Sequence, residues 1–242
     1  MIPEEFSLTT RLWEMTNGER AAYVGTLAFV RPRLAVEIGS AMGGSLERTA
    51  AYSEHVHSFD RMEAGPTARA LPNVTFHTGN SHKLLPAWLE TVVRDGQTID
   101  FAHVDGDHRP HGVAQDVNDI LSCPAFDGVM LLHDVMNQGV RDGLDLVKFE
   151  EYPDVVYVDY DFVRGFMSKR RGRNHLAMWG GIGLVIVDRS HQFEVREEMV
   201  SSGIRQNRFY DAHRLYRPFS DVRHFARRSS DWVRRHILHR TQ

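Results

Sequence analysis

Residues 36–50 read VEIGSAMGGSLERTA. The stretch is legible as a buried strand over Leu34–Ile38, a glycine-rich turn, and then a helix. Gly39, Gly43 and Gly44 stand where the backbone must bend sharply and pass close to a ligand, which glycine does at least cost. The carboxylate of Glu37 is expected at the strand's mouth. A second strand, HVHSF, ends in Asp60. A glycine turn after the first strand and an acid after the second describe the nucleoside-binding half of a doubly wound α/β sheet. The spacing Gly-x-x-x-Gly-Gly differs from the dinucleotide Gly-x-Gly-x-x-Gly, which counts against a nicotinamide cofactor.

The α/β alternation continues outward. Residues 18–30 have the pattern of a helix that leads through Arg31-Pro32-Arg33 into the first strand. Further strands are expected at 74–78, 99–104, 128–133, 155–160 and 181–187. Leu84, Leu85, Trp88, Leu89 and Val92 have helical spacing, with Pro86 expected in the first turn, where its missing N–H is harmless. Val113, Val117, Ile120 and Leu121 mark one face of another helix, with His111 at its start. This alternation predicts a mostly parallel sheet with helices on both faces.

Composition narrows the class. The chain has 242 residues, 42% of them hydrophobic and 25% charged, with a net charge of -3, so the overall balance points to neither nucleic acid nor membrane. Cys123 is the only cysteine, which excludes an intramolecular disulfide and a cysteine-based zinc cluster. The start, MIPEEFSLTT, is acidic and lacks the apolar core of a signal peptide. No apolar run approaches the ~20 residues that span a bilayer, so a cytoplasmic location is expected.

A second constellation comes from the fourth and fifth strands, which end in Asp105-Gly106-Asp107-His108 and in His133-Asp134. If these strands are neighbours, Asp105 and Asp134 meet at the sheet edge where open α/β sheets bind ligands. Two close carboxylates repel unless protonated or bridged by a cation. Oxygen donors suit Mg²⁺, Mn²⁺ or Ca²⁺, and His133 would add a nitrogen. Because side chains alternate along a strand, His133 and Asp134 reach one site only if the strand has already ended.

In this order, VEIGSAMGGS, HSFD, TGNS, DFAHVDGDH and GVMLLHD resemble the class I S-adenosylmethionine-dependent methyltransferases, over roughly residues 30–190. The pair VDGDH and LLHD is most similar to the cation-dependent O-methyltransferases, particularly the branch that methylates sugar hydroxyls of macrolide and aminocoumarin antibiotics. The resemblance implies a Rossmann-like fold of seven strands with the last antiparallel. It implies that Glu37, Gly39, Ser40 and Gly43 hold the amino-acid end of S-adenosylmethionine and that Asp60 binds its ribose. Gly79, Asn80 and Ser81 would lie near the adenine, and Asp105, His133 and Asp134 would be the metal-ligand candidates. Asp107 falls where some sugar enzymes carry a general base, and His108 is the alternative base. Two departures stand out. Catechol-type relatives have Asn after the second metal aspartate, where this chain has Val135; sugar-type relatives have an acid before it, where this chain has His133.

The expectation is therefore a metal-dependent O-methyltransferase acting on a sugar or glycoside hydroxyl. The methyltransferase domain would span residues 1–190. Residues 191–242 would form a helical extension, with Val222, Ala226, Val233 and Ile237 in a stripe packed on the domain or on a second subunit of a homodimer. The basic and apolar segment 161–178 is read as a solvated face or, alternatively, as a lid. The rival readings are an NAD-linked oxidoreductase and a non-catalytic nucleotide-binding domain.

Overall fold

The apolar strand LAVEI (β1, Leu34–Ile38) is buried along its whole length and lies inside the sheet, away from both edges. The computed structural model describes residues 13–167 and 177–190. Around β1 are β2 (His55–Asp60), β3 (Val74–Thr78), β4 (Ile99–Val104), β5 (Phe126–His133), β6 (Val155–Val163) and β9 (Ile182–Val187). Their order is β3-β2-β1-β4-β5-β9-β6. Strands β1 to β5 pair in parallel, whereas β9 runs antiparallel to both β5 and β6. The expected seven-stranded, mostly parallel Rossmann-like sheet is thus present. A short pair, β7 (Phe166–Met167) with β8 (Met178–Trp179), stands beside it, and a one-turn helix, α3 (Pro66–Arg69), lies between β2 and β3 in the chain.

Each face of the sheet carries its own apolar layer. On one face α4 (Ser81–Arg94), α5 (Pro110–Ser122) and α6 (Gln138–Leu144) pack Leu85, Trp88, Val117, Ile120 and Leu144 against Val36, Ile38, Ala102 and Met130. On the other, α1 (Asn17–Val30) and α2 (Gly44–Tyr52) pack Tyr23, Leu27 and Leu46 against Ala35, Val56, Phe101 and Leu131. Burying each such side chain contributes about 1.5–3 kcal/mol. The alternation along β1 has a functional consequence: Glu37 shares the face of Ala35, not that of Val36 and Ile38.

Local details depart from the sequence reading. Helix α4 starts at Ser81, capped by Asn80, so Pro86 lies in its second turn and not its first. Pro86 has no N–H for the carbonyl of His82, and the Gln115 side chain donates to that oxygen instead, at 3.3 Å. Strand β5 begins at Phe126, before the expected Gly128. It passes β4 with a register irregularity between Ile99 and Phe101, where a Cβ on Gly128 would collide with the Asp100 backbone. Helix α6 was not foreseen. Residues 168–176 of the segment 161–178 and the whole expected extension, 191–242, lie outside the described residues. Among the described residues no helix is long and apolar enough to cross a membrane.

Candidate active site

The glycine turn joins β1 to α2. Gly39 (φ 84), Ala41 (φ 42) and Gly43 (φ 83) all take left-handed conformations. A Cβ on Gly39 would run into the backbone carbonyl of Asp105, so glycine is what lets the mouths of β1 and β4 close together. Asp60 steadies the turn from β2: its Oδ2 accepts from Ala41 N at 2.9 Å and from Ser40 Oγ at 3.5 Å, and its Oδ1 from Met62 N at 2.8 Å. Gly43 caps α2, and Gly44 and Ser45 in the first turn of that helix face a cavity.

Glu37 is not at the strand's mouth, which corrects the sequence reading. It is fully buried beneath the turn, on the α1/α2 face. Its carboxylate accepts from Ser45 Oγ at 2.7 Å, Thr49 Oγ1 at 2.8 Å and Tyr23 OH at 3.4 Å. It holds α1 and α2 to the sheet from below and does not line the cavity. Gly79, Asn80 and Ser81 lie beyond Asp60, at the end of β3. The Asn80 side chain caps α4, and Ser81 Oγ donates to the buried Asp116 at 3.1 Å. Asp60 and these three residues do not form walls of that cavity.

Strands β4 and β5 are neighbours, as the sequence requires for its second constellation. Strand β5 ends at His133, and Asp134 turns into a left-handed conformation (φ 54), a region that Asp tolerates better than most residues. The strand end therefore resolves the conflict of alternation. Both side chains reach the site. His133 Nδ1 lies 3.1 Å from Asp105 Oδ2, and Asp134 Oδ1 accepts from Gly180 N at 2.5 Å. His108 Nε2 sits between the two acids, 3.4 Å from Asp105 Oδ1 and 3.6 Å from Asp134 Oδ2. Donor atoms of Asp105, His108 and Asp134 all lie within 4.8 Å of one another. The nitrogen that joins the two acids in this group is thus that of His108. His133 lies behind Asp105, 6% exposed.

The charges of the cluster are mutually dependent. Burial alone would raise the Asp105 carboxyl, but the charge of His133 and the hydrogen bond with His108 hold it below the usual range. Burial raises Asp134, and neighbouring Asp105 adds to the effect against the pull of His133 and His108. Hydrogen bonding to Asp105 raises His108. Burial disfavours a charged His133, yet Asp105 and Glu19 outweigh it and push the ring's pKa well up.

Asp107 does not face the cavity. Arg109 grips it, with Nε at 2.9 Å and Nη2 at 2.5 Å from Oδ2, and Arg61 lies 4.0 Å away. Hydrogen bonds from Arg109 bring its pKa down to about 2, which makes it a weak base. Sequence reasoning missed two contributors. Glu19, on α1, reaches the site from far along the chain. Trp179, on β8, lies with its ring 6.0 Å from that of His108. Neither belongs to a local motif.

The cavity, about 720 Å³, is bounded by the turn at Gly39–Met42, by the acid–histidine cluster, and by Trp13, Met15, Phe166 and Trp179. One wall offers close backbone approach, one offers charge, and one is apolar and aromatic.

Residues 36–135 match the family model of a methyltransferase domain. No curated protein sequence matches the chain. Among solved structures, cofactor-bound Rv0187 from MTB is similar at 14% identity and a TM-score of 0.51, covering 75% of this chain and 84% of that one. The O-methyltransferase TomG from Streptomyces achromogenes, involved in tomaymycin synthesis and solved with SAM, is similar at 16% identity and a TM-score of 0.50, covering 72% and 81%. MycE of the mycinamycin biosynthetic pathway, solved with Mg, SAH and mycinamycin VI, is similar at 14% identity and a TM-score of 0.49, covering 74% and 51%. The segment 36–135 thus matches a methyltransferase domain, and the described chain has a Rossmann-like methyltransferase fold.

Proposed function

We propose that this protein moves a methyl group from S-adenosylmethionine to a hydroxyl of a sugar or glycoside, assisted by a divalent cation, Mg²⁺ or Mn²⁺. The observation that carries the reading is the convergence of Asp105, His108 and Asp134 within 4.8 Å at the edge of a cavity bordered by the glycine turn.

The turn fits the cofactor. Gly39, Ser40 and Gly43 bring backbone close to the cavity, and the first turn of α2 presents N–H groups that suit a carboxylate such as that of the cofactor's amino-acid end. Asp60, beside this turn, is assigned the ribose hydroxyls. Gly79, Asn80 and Ser81 are assigned the adenine side.

The acid pair fits a cation. Two carboxylates this close are costly unless a proton or a cation lies between them; burial first, with Asp105 adding to it, raises the Asp134 carboxyl. Asp105 and Asp134 would hold the ion, and this donor chemistry suits Mg²⁺ or Mn²⁺. When bound, the ion supplies Lewis acidity that lowers the pKa of an acceptor hydroxyl.

The remaining work is done by side chains. A sulfonium is already activated, so the main task is to hold donor and acceptor in line. Trp13, Phe166 and Trp179 form the wall that positions the acceptor and keeps water out. His108 lines the same cavity and takes the acceptor's proton. Asp107, paired with Arg109, orders the loop that carries His108. Val135 in place of Asn favours a sugar over a catechol. The test is transfer of labelled methyl from S-adenosylmethionine to a panel of sugars, glycosides and catechols with Mg²⁺ present. Labelled glycosides support the proposal; labelling of catechols alone contradicts its acceptor class. The homodimer is part of the same proposal and is checked by light scattering.

A further inference from the structure

Glu19 is a fully buried acid that the proposed reaction leaves without a task. It sits in the first turn of α1, where Oε2 accepts from Thr16 N at 2.5 Å in a capping box. A capping box needs only the reciprocal contacts between Thr16 and Glu19 and works at the surface. Complete burial of a carboxylate is costly unless it is paired, so capping alone does not explain the position. The other oxygen, Oε1, turns away from the helix. It accepts from the backbone N–H of Gly181 and lies 3.6 Å from His133 Nε2.

Two routes lead from that oxygen to the acid pair. His133 stands between carboxylates, with Nε2 toward Glu19 and Nδ1 3.1 Å from Asp105 Oδ2. The two carboxylates flank the ring from opposite edges and hold it by charge. The second route is the turn Gly180–Gly181, whose residues have φ 69 and 86. Its Gly181 N–H goes to Glu19 and its Gly180 N–H goes to Asp134.

We infer that Glu19 is a positioning residue for the cation site: it fixes the His133 ring and the Gly180–Gly181 turn, and through them the carboxylates of Asp105 and Asp134. The inference rests on the cation reading above. Glu19 itself touches neither the ion nor the acceptor.

The test is titration of Mn²⁺ alone into wild type, Glu19→Gln and Glu19→Asp, followed by calorimetry and by electron paramagnetic resonance of the bound ion. S-adenosylmethionine affinity and the melting temperature are measured alongside. Loss of an outer partner of this kind weakens metal binding by about 10–100-fold. Glu19→Gln is expected at the lower end of that range, with an altered Mn²⁺ spectrum and unchanged cofactor affinity. Glu19→Asp, which returns a carboxylate, recovers part of the loss. Wild-type affinity and spectrum in both variants would overturn the inference. So would a loss of Mn²⁺ and cofactor binding together, in step with the melting temperature, because that is the mark of a structural role only. If Glu19→Gln does not fold, Glu19→Asp decides alone: weaker Mn²⁺ binding supports the inference and unchanged binding overturns it. A wild-type protein that binds S-adenosylmethionine but no Mn²⁺ would remove the cation reading itself, and this inference with it.

Discussion

Beside β1 and β2 the carboxyl edge of the sheet is made of backbone, whereas beside β4 and β5 it is made of side chains. In the first region three residues of one turn are left-handed, and the acid below, Glu37, is spent on holding α1 and α2. In the second, His108 sits within ion-pair distance of Asp105 and Asp134, and His133 within ion-pair distance of Asp105. A site made of backbone is sensitive to an added Cβ, and charge enters it only through Asp60. A site made of side chains is sensitive to charge, while the fold around it is not. The two regions should therefore fail separately, the first in cofactor binding and the second in turnover.

The largest expected effect lies in the side-chain region. His108→Ala should slow methyl transfer by about 10²–10⁴ at saturating cofactor, while calorimetry finds S-adenosylmethionine affinity unchanged. Asp107→Asn, by contrast, should cost no more than about tenfold, because its carboxylate serves Arg109. The reverse ranking in steady-state assays would move the base to Asp107. In the backbone region, Gly39→Ala should destabilise the fold by about 3 kcal/mol, since a left-handed alanine is strained and its Cβ meets the Asp105 backbone. Thermal melting checks this, and cofactor binding should be lost with it. A smaller effect is expected of Asp60→Ala: with Asp60 on the ribose as proposed, loss of that charge-assisted contact costs ~1.5–3 kcal/mol of cofactor affinity. An unchanged dissociation constant would refute the ribose assignment.

The smallest effect lies outside both regions and serves as their control. His57, on β2, has Nδ1 2.8 Å from His77 Nε2, and its ring lies 4.6 Å from that of Trp88. Burial first, then the neighbouring His77 and His55, lowers its pKa from 6.5 to about 4. As pH falls the unfolded chain takes up this proton first. The stabilisation is thus complete above pH 6.5 and is lost as pH falls toward about 4. After allowance for screening the effect is about 1–2 kcal/mol. It should appear as a flatter stability–pH curve for His57→Gln than for wild type in denaturant titrations.

The sheet was legible because each strand carries a short apolar run closed by glycine or acid. The neighbouring positions of Asp105 and Asp134 followed from the same pattern. Side-chain direction was less legible. Glu37 was expected at the mouth because its number is near the turn, yet the two-residue period of β1 sends it to the α1/α2 face. On sequence grounds Asp107 is the favoured base and His108 the alternative; Arg109, two residues on, binds the Asp107 carboxylate, which is why the proposal turns to His108. His108 and not His133 supplies the nitrogen grouped with both acids, because the loop after β4 carries its ring between Asp105 and Asp134. Glu19 could not be found from any motif, since its contacts with His133 and Gly181 exist only once α1 packs beneath the sheet edge.

The central claim is that cofactor binding and cation-assisted transfer occupy separable regions of one edge. It is tested most directly by measuring S-adenosylmethionine affinity and methyl transfer to a glycoside acceptor on the same wild-type sample, before and after chelation and after Mg²⁺ or Mn²⁺ is returned. The account predicts that chelation abolishes transfer, leaves cofactor affinity largely intact, and is reversed by the added ion. Full transfer in excess chelator would contradict it.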